Sequence, residues 1–350
     1  MRGAGARSRP PSTGWEPDRL RCGTVPSPMT RRVTVCLFAA MIGATACGGD
    51  GGGQVRAATG GLVAEVASFD VAVGPAARFI VGILTKDEEF VSYGSVELRF
   101  TFEGRGEKDA PSLPGPRGTA RFISLPGSPP AGSHPGPVAL PSSEGKGVYG
   151  AQVAFDRAGF WQVAVRANLV GEKGSRTATA AFAVREKHTI PAPGDAALPS
   201  ENLTVRSTNV PPGAIDSRAD SPEVPDRELH QSTIARALTR HRPAVVVFAT
   251  PVYCVSQFCG PVTDMVQELA RDYTDRASFI HVEIWQDYEK KQLTKAAGDW
   301  LFRNNDLNEP WVFVIGADGK IAARFDNVTT REEVEPLLRA LPVIGPEPAS

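Results

Sequence analysis

Ala244-Val245-Val246-Val247-Phe248-Ala249 and, four residues later, Cys254-Val255-Ser256-Gln257-Phe258-Cys259-Gly260-Pro261 decide how this chain folds. The first run is short, unbroken and β-branched, so it reads as a buried strand. Beyond the second, Val262, Met265, Val266 and Leu269 recur at i, i+3, i+4 and i+7, the spacing of an amphipathic helix. Two cysteines therefore sit at a strand-to-helix turn, where a helix N-terminus favours a thiolate and lowers its pKa. Thiol chemistry is the expectation. Its geometry depends on where the helix begins. If Gly260 caps it and Pro261 is its first residue, both cysteines lie in the loop and can approach. If it begins near Ser256, their Cα atoms stand about 8–9 Å apart, beyond the ~7 Å that a disulfide spans. Pro261 favours the loop arrangement, being at home in the first helical turn.

Outward from this turn, residues 226–240 read as a helix with Leu229, Ile234, Ala237 and Leu238 on its apolar side. Strands follow at 278–285 and 310–315, and at 320–325 after the turn Ala317-Asp318-Gly319. Residues 330–341 form a last helix, with Thr330 as N-cap and Glu333 completing a capping box. Helix, strand, helix, strand, helix, two hairpin strands and helix make an α/β order with a mixed sheet.

Residues 63–186 have another texture. Phe79 to Leu84, Val96-Glu97-Leu98-Arg99-Phe100-Thr101-Phe102 and Trp161-Gln162-Val163-Ala164-Val165 alternate between apolar and polar. With Gly, Pro and Asp turns between them, they predict a small antiparallel β-sandwich. Residues 111–141 are rich in Pro, Gly and Ser and read as a long loop. Trp161 and Tyr149 are expected as core anchors. Residues 187–225 read as a linker or extended wrap, and 48–62 as a Gly-rich tether.

The net charge is −1, unevenly spread: seven arginines against Glu16 and Asp18 leave residues 1–46 at +5, so the other 304 carry −6. There is no basic stripe, and no nucleic-acid partner is expected. Met29-Thr30-Arg31-Arg32, an apolar run over 33–46 and Cys47 read as an export signal too short for an ordinary spanning helix. Residues 1–28 read as a non-structural extension ahead of a start at Met29.

Several resemblances follow from these residues. Ala44-Thr45-Ala46-Cys47-Gly48 resembles a bacterial lipobox, with Ala44 where leucine is usual. It implies lipidation of Cys47 and anchoring to the cell membrane on its extracytoplasmic face; a plain cleaved signal is the alternative. Cys22 and Cys36 would leave with the signal, making Cys254 and Cys259 the remaining thiol pair. Gly147-Val148-Tyr149-Gly150 with Phe155-Asp156-Arg157-Ala158-Gly159-Phe160-Trp161 resembles a hairpin of exported immunoglobulin-like domains. Residues 226–345 resemble the thioredoxin fold, through the strand, cysteine turn and helix and through Asn308-Glu309-Pro310-Trp311-Val312-Phe313-Val314. That resemblance implies a two-domain chain, immunoglobulin-like then thioredoxin-like, and a disulfide exchanger without cofactor. Its partners would be protein thiols or disulfides, or a membrane electron donor. Cys254 would attack, Cys259 would resolve, and Pro310 would match the cis-proline facing the cysteines.

The chain departs from that family at two points. The family spacing is Cys-x-x-Cys rather than Cys-x₄-Cys, and its buried Asp is replaced by Val247, so the general base would be water, a substrate group or something distant such as His281 or Glu283. Two rival resemblances stay open, as does a structural disulfide in a domain that only binds partners. Q-type peroxiredoxins use Cys-x₄-Cys, but they carry Pro and Thr where Val247 and Pro251 stand, with Thr250 one residue out of register. Exported copper chaperones of the same fold use two cysteines and a histidine, a role for His281. His134, His188, His230 and His241 show no ligand spacing.

Overall fold

The computed structural model describes residues 56–346 except 107–110, 142 and 221–222. The export signal, the extension and Cys47 lie outside the described residues. Ten strands come first: β1 (Arg56–Thr59), β2 (Leu62–Val66), β3 (Gly74–Thr85), β4 (Phe90–Ser92), β5 (Ser95–Gly104), β6 (Leu113–Ser124), β7 (Val138–Leu140), β8 (Gly147–Phe155), β9 (Gly159–Ala167) and β10 (Arg176–Val184). All their pairings are antiparallel, and the ladder β2-β1-β10-β9-β5-β6-β8-β3 rejoins itself through β2–β3. The expected antiparallel β region is present. Inward positions alternate along the strands, as in Val96, Leu98 and Phe100 of β5. They enclose a core centred on Phe79, Phe100, Phe155 and Phe182, with Trp161 and Tyr149 nearly fully buried.

Three details differ from the sequence reading. β1 pairs with β10 inside the stretch read as a tether. Residues 111–141 are no loop throughout: Leu113–Ser124 is a long strand paired with β5 and β8. Its Pro and Gly are tolerated because a bulge opposite Arg99 to Thr101 absorbs them, and because Ala120 and Phe122 bury inward. β8 and β9 are not a hairpin. β8 pairs with β3 and β6, whereas β9 pairs with β5 and β10, so residues 156–158 carry the chain across the core. Gly159 makes that crossing possible: its φ is +143°, and a Cβ there would lie 2.6 Å from the Gly104 carbonyl oxygen.

The second part has four α-helices, α1 (Ile234–Thr239), α2 (Cys259–Tyr273), α3 (Lys295–Leu301) and α4 (Arg331–Ala340). They flank a sheet of β11 (Ala244–Ala249), β12 (Ser278–Glu283), β15 (Trp311–Ile315) and β16 (Ile321–Asp326). A small ribbon of β13 (Trp285–Asp287) and β14 (Gln292–Leu293) stands apart. The sheet order is β12-β11-β15-β16, with β11 and β12 parallel and the other pairs antiparallel. β11 is buried on both faces. Val245, Val247 and Ala249 meet α2 and α4, while Val246 and Phe248 meet the opposite cluster with Trp300. The Thr330/Glu333 capping box is present on α4. The helix expected over 226–240 is broken into a 3₁₀ turn, Arg227–His230, and α1, because Thr233 caps a new helix start.

Residues 187–225 wrap along this second part. Ile190 and Ala197 enter its core, and the Asn202 side chain accepts from the Ile234 amide. The β region packs directly against the α/β part. Arg78 of β3 bonds Asp326 and Glu333 at 3.0 and 2.8 Å, and Arg324 of β16 bonds Asp70 at 3.0 Å. Ile80, Leu125 and Val148 join Val328 and Phe258 in an apolar seam.

Candidate functional site

The cysteine turn leaves β11 at Ala249 and enters α2 at Cys259. The start of α2 lies between the two expected alternatives. Phe258 is the N-cap and Cys259 the first helical residue, with Gly260 and Pro261 already inside the first turn. Cys254 stays in the loop. The Cα atoms are 6.1 Å apart and the two sulfurs form a disulfide, within ordinary bridging reach. Cys259 is fully buried beneath α2, while Cys254 is half-buried with its Sγ 3.2 Å from the Ser256 hydroxyl. The loop between them presents apolar surface, Val252, Tyr253 and the almost wholly exposed Val255. Tyr253 stacks on Tyr288, their centroids 4.0 Å apart, and Lys291 lies over that second ring.

The four intervening residues have a structural use. Gln257 takes a left-handed φ of +61° and turns the chain, so that Phe258 drops into the apolar seam with Ile80, Leu125 and Val148 of the β region. Lys146 reaches across to Gln257 at 3.4 Å. The disulfide opens on a cleft of about 1020 Å³ walled by both parts of the chain, including Phe182, Arg185, Ser256, Arg303 and Trp311.

Pro310 ends the segment before β15, and its peptide bond to Glu309 is cis. Sequence reasoning overlooked Glu309. Its carboxylate and the two sulfurs all lie within 4.8 Å of one another. Burial, with the nearby Glu283 charge adding to it, pushes the Glu309 carboxyl up to about 8. Its Oε2 has no hydrogen-bond partner. The signal that could have found it was its place beside Pro310, the position expected to face the cysteines.

Glu283 and His281, the proton carriers suggested from sequence, both lie on the α2-covered face of β12. The register places His281 beside Val247 and Glu283 beside Ala249. Burial raises the Glu283 carboxyl, although it accepts hydrogen bonds from the Ser217 and Ile284 amides, both at 2.8 Å. The Thr250 hydroxyl is turned toward Ser217 and Glu283.

His281 belongs to a second cluster, away from the set that holds the cysteines. Its Nε2 must donate to the Ala249 carbonyl, 3.0 Å away. Its Nδ1 lies 3.4 Å from Asp216 Oδ2, and His230 Nε2 lies 3.4 Å from the same oxygen. All three side chains have no exposure. His230, which had shown no ligand spacing, is brought here by the 3₁₀ turn, and Asp216 by the wrap over 187–225. Burial opposes the Asp216 charge, yet the facing His230 and His281 rings and the Arg218 guanidinium hold its carboxyl far below the usual range. Burial lowers His230, whereas Asp216 outweighs burial at His281 and raises it. The Asp216–His230–His281 and Cys254–Cys259–Glu309 sets are the two groups with metal-ligand proximity among the described residues.

Among the described residues no helix is long and apolar enough to cross a membrane. No protein-family model matches the chain, and no curated protein matches it in sequence.

Proposed function

We propose that the chain is a thiol-disulfide exchange protein of the thioredoxin-like type, with Cys254 and Cys259 as its redox pair and Glu309 as its proton carrier. The observation that carries this reading is the half-buried Glu309 carboxyl, whose Oε2 has no hydrogen-bond partner, within 4.8 Å of both sulfurs. A purely structural disulfide has no use for such a group, and its burial costs stability. The sheet order, the α2 crossover that begins at Cys259 and the place of Pro310 support the fold assignment.

The chemistry follows from exposure. A substrate thiolate attacks the accessible Cys254 Sγ, forming a mixed disulfide as the Cys254–Cys259 bond breaks. The electron pair leaves on Cys259, which the protonated Glu309 then neutralises. A second substrate thiolate attacks the substrate sulfur of the mixed disulfide, releasing an oxidised substrate and the Cys254 thiolate. The same steps in reverse reduce a substrate disulfide: Cys254 attacks, and Glu309 takes the Cys259 proton as that thiol resolves the intermediate. Two electrons pass in either direction, and the partner's potential sets which one runs. The substrate is a cysteine-bearing polypeptide laid along the cleft against the apolar lip of Val252, Tyr253 and Val255. The lipid on Cys47 would hold this site outside the membrane, near protein thiols or a membrane electron donor.

The test is a disulfide-exchange assay with alkylation and mass readout. Wild type cycles between two thiols and one disulfide with a potential above about −300 mV, the range of labile rather than structural bonds. Cys254→Ser abolishes turnover. Glu309→Gln slows release or resolution at Cys259 by about 100-fold, the scale of general acid-base catalysis. Hydrogen peroxide turnover by wild type would transfer the chain to the peroxidase reading, and a potential well below −300 mV would make the bond structural.

A further inference from the structure

We infer that Asp216, His230 and His281 form a zinc site, a clip that fastens the 187–225 wrap and the Arg227–His230 turn to strand β12. The inference stands whether or not Cys254 and Cys259 exchange disulfides. The His281 Nε2–H is committed to the Ala249 carbonyl, which can only accept, so in the neutral ring Nδ1 carries a lone pair. That lone pair is fully buried, has no hydrogen-bond partner and faces a carboxylate oxygen 3.4 Å away. Two acceptors do not face each other in a protein interior unless a cation lies between them.

Either a proton or a metal ion could be that cation, and the distances favour the metal. A buried imidazolium–carboxylate pair closes to about 2.7–2.9 Å. Here both histidine nitrogens stand 3.4 Å from the same Asp216 oxygen. With ligand bonds of about 2.0–2.1 Å, neighbouring donors of a tetrahedral zinc site are about 3.3–3.5 Å apart. Two imidazoles and one carboxylate are a three-ligand zinc donor set, whose fourth tetrahedral position takes a water. A histidine that donates its other ring N–H to a backbone carbonyl is the usual outer-shell arrangement for a metal-bound ring.

The surrounding charge agrees. Arg218 bonds Asp216 at 2.8 Å and also pairs with Asp226 and Asp264. With both histidines neutral, the buried Asp216 and half-buried Asp226 against one guanidinium leave a net negative charge that a bound cation offsets. Arg218 also orients the Asp216 carboxylate as a fork, donating from Nε to Oδ1 at 3.1 Å and from a terminal nitrogen to Oδ2 at 2.8 Å, which fixes the Oδ2 edge against the histidines. The anchored groups come from three separate segments, the wrap, the 3₁₀ turn and β12. Joining such segments is what a structural metal does.

The experiment uses the full chain with its disulfide intact, stripped by chelator and titrated with Co²⁺ and then Zn²⁺. One Co²⁺ binds per chain, with d–d absorption of tetrahedral intensity and no thiolate charge-transfer band, and zinc displaces it. Asp216→Asn and His281→Gln weaken binding by at least about 100-fold, and Arg218→Met by about 10- to 100-fold, as outer-shell partners do. The Cys254→Ser/Cys259→Ser double variant binds as wild type does. Should the buried-site variants fail to fold, ¹⁵N-histidine spectra of wild type decide, since zinc must shift His281 Nδ1 and His230 Nε2. An oxidised wild type that takes up no Co²⁺ or Zn²⁺ overturns the site in favour of a protonated His281. Uptake that needs free cysteines overturns it in favour of a thiolate site.

Discussion

The two parts of the molecule solve burial differently. The β region is closed by aromatic packing: Phe79 meets Phe100, Phe155 and Phe182 at centroid distances of 5.0–6.4 Å. Among the described residues its core holds no carboxylate, imidazole or cation. Its two deeply set charges, Asp70 and Arg78, both turn outward to pair with the α/β part. The α/β part instead buries Asp216, His230, His281 and Glu283, and half-buries Glu309, around and beneath α2. Burying such groups costs several kcal/mol each unless they are paired. The paired ones mark where the molecule is held together, and the unpaired ones mark where a proton or an ion is handled. Arg78, fully partnered, belongs to the first kind. Glu309 Oε2 and His281 Nδ1 belong to the second.

The largest expected effect tests the boundary between the two parts. Arg78→Ala leaves Asp326 and Glu333 facing a buried gap and should cost about 3–5 kcal/mol, the scale for breaking one side of a buried pair. Denaturant unfolding checks it, and the whole described chain should lose stability in a single transition. Phe79→Ala, an apolar loss at the centre of the β region, should cost a similar 3–5 kcal/mol and be insensitive to pH. If Arg78→Ala split unfolding into two transitions, with the α/β part unaffected, the β region would be a mere spacer.

Next in size is Glu309. Its folded carboxyl titrates near 8 against an ordinary 4.5. An acid whose folded pKa is raised favours the fold while protonated, so its stabilising contribution is complete below about pH 4.5. That contribution is lost as pH rises through 8. Between those limits wild type should lose about 2–4 kcal/mol, at 1.36 kcal/mol per pKa unit with allowance for partial exposure. Glu309→Gln should match wild type near pH 4 and exceed it at pH 9. Equal slopes in the two proteins, measured by chemical denaturation across that range, would remove Glu309 from the group of unpaired buried acids.

Much of this arrangement could be read from local pattern. Val245 to Ala249, the 262–269 periodicity and the Thr330/Glu333 box each specify an element within a few residues, and all three are present. The disulfide reach depended on one helix start, which Pro261 favoured and the Phe258 anchor shifted by two residues. What escaped was set by contacts distant in sequence. Asp216, His230 and His281 come from a wrap, a turn and a strand, so no spacing rule joins them. Glu309 is set by the cis bond to Pro310 beside a loop some fifty residues earlier. β6 was hidden because Pro114 and Gly115 are poor strand formers, and pairing with β5 overrode that preference.

The smallest effect sharpens the comparison most simply, because it sets a shorter ion-pair distance against far greater exposure. Lys295 and Asp299 of α3 pair at 2.5 Å, closer than the Arg78–Asp326 contact at 3.0 Å. Their side chains are 86% and 46% exposed, against 13% and 9% for the buried pair. Water already solvates both ends, so the pair contributes only about 0.3–0.5 kcal/mol. Lys295 is moreover the first residue of α3, where a positive charge opposes the helix dipole, and removing it recovers part of that loss. Lys295→Ala should therefore leave the midpoint of denaturation within error of wild type, and added salt should erase any difference. A loss approaching that of Arg78→Ala would mean that charge separation, rather than burial, governs the ion pairs of this molecule.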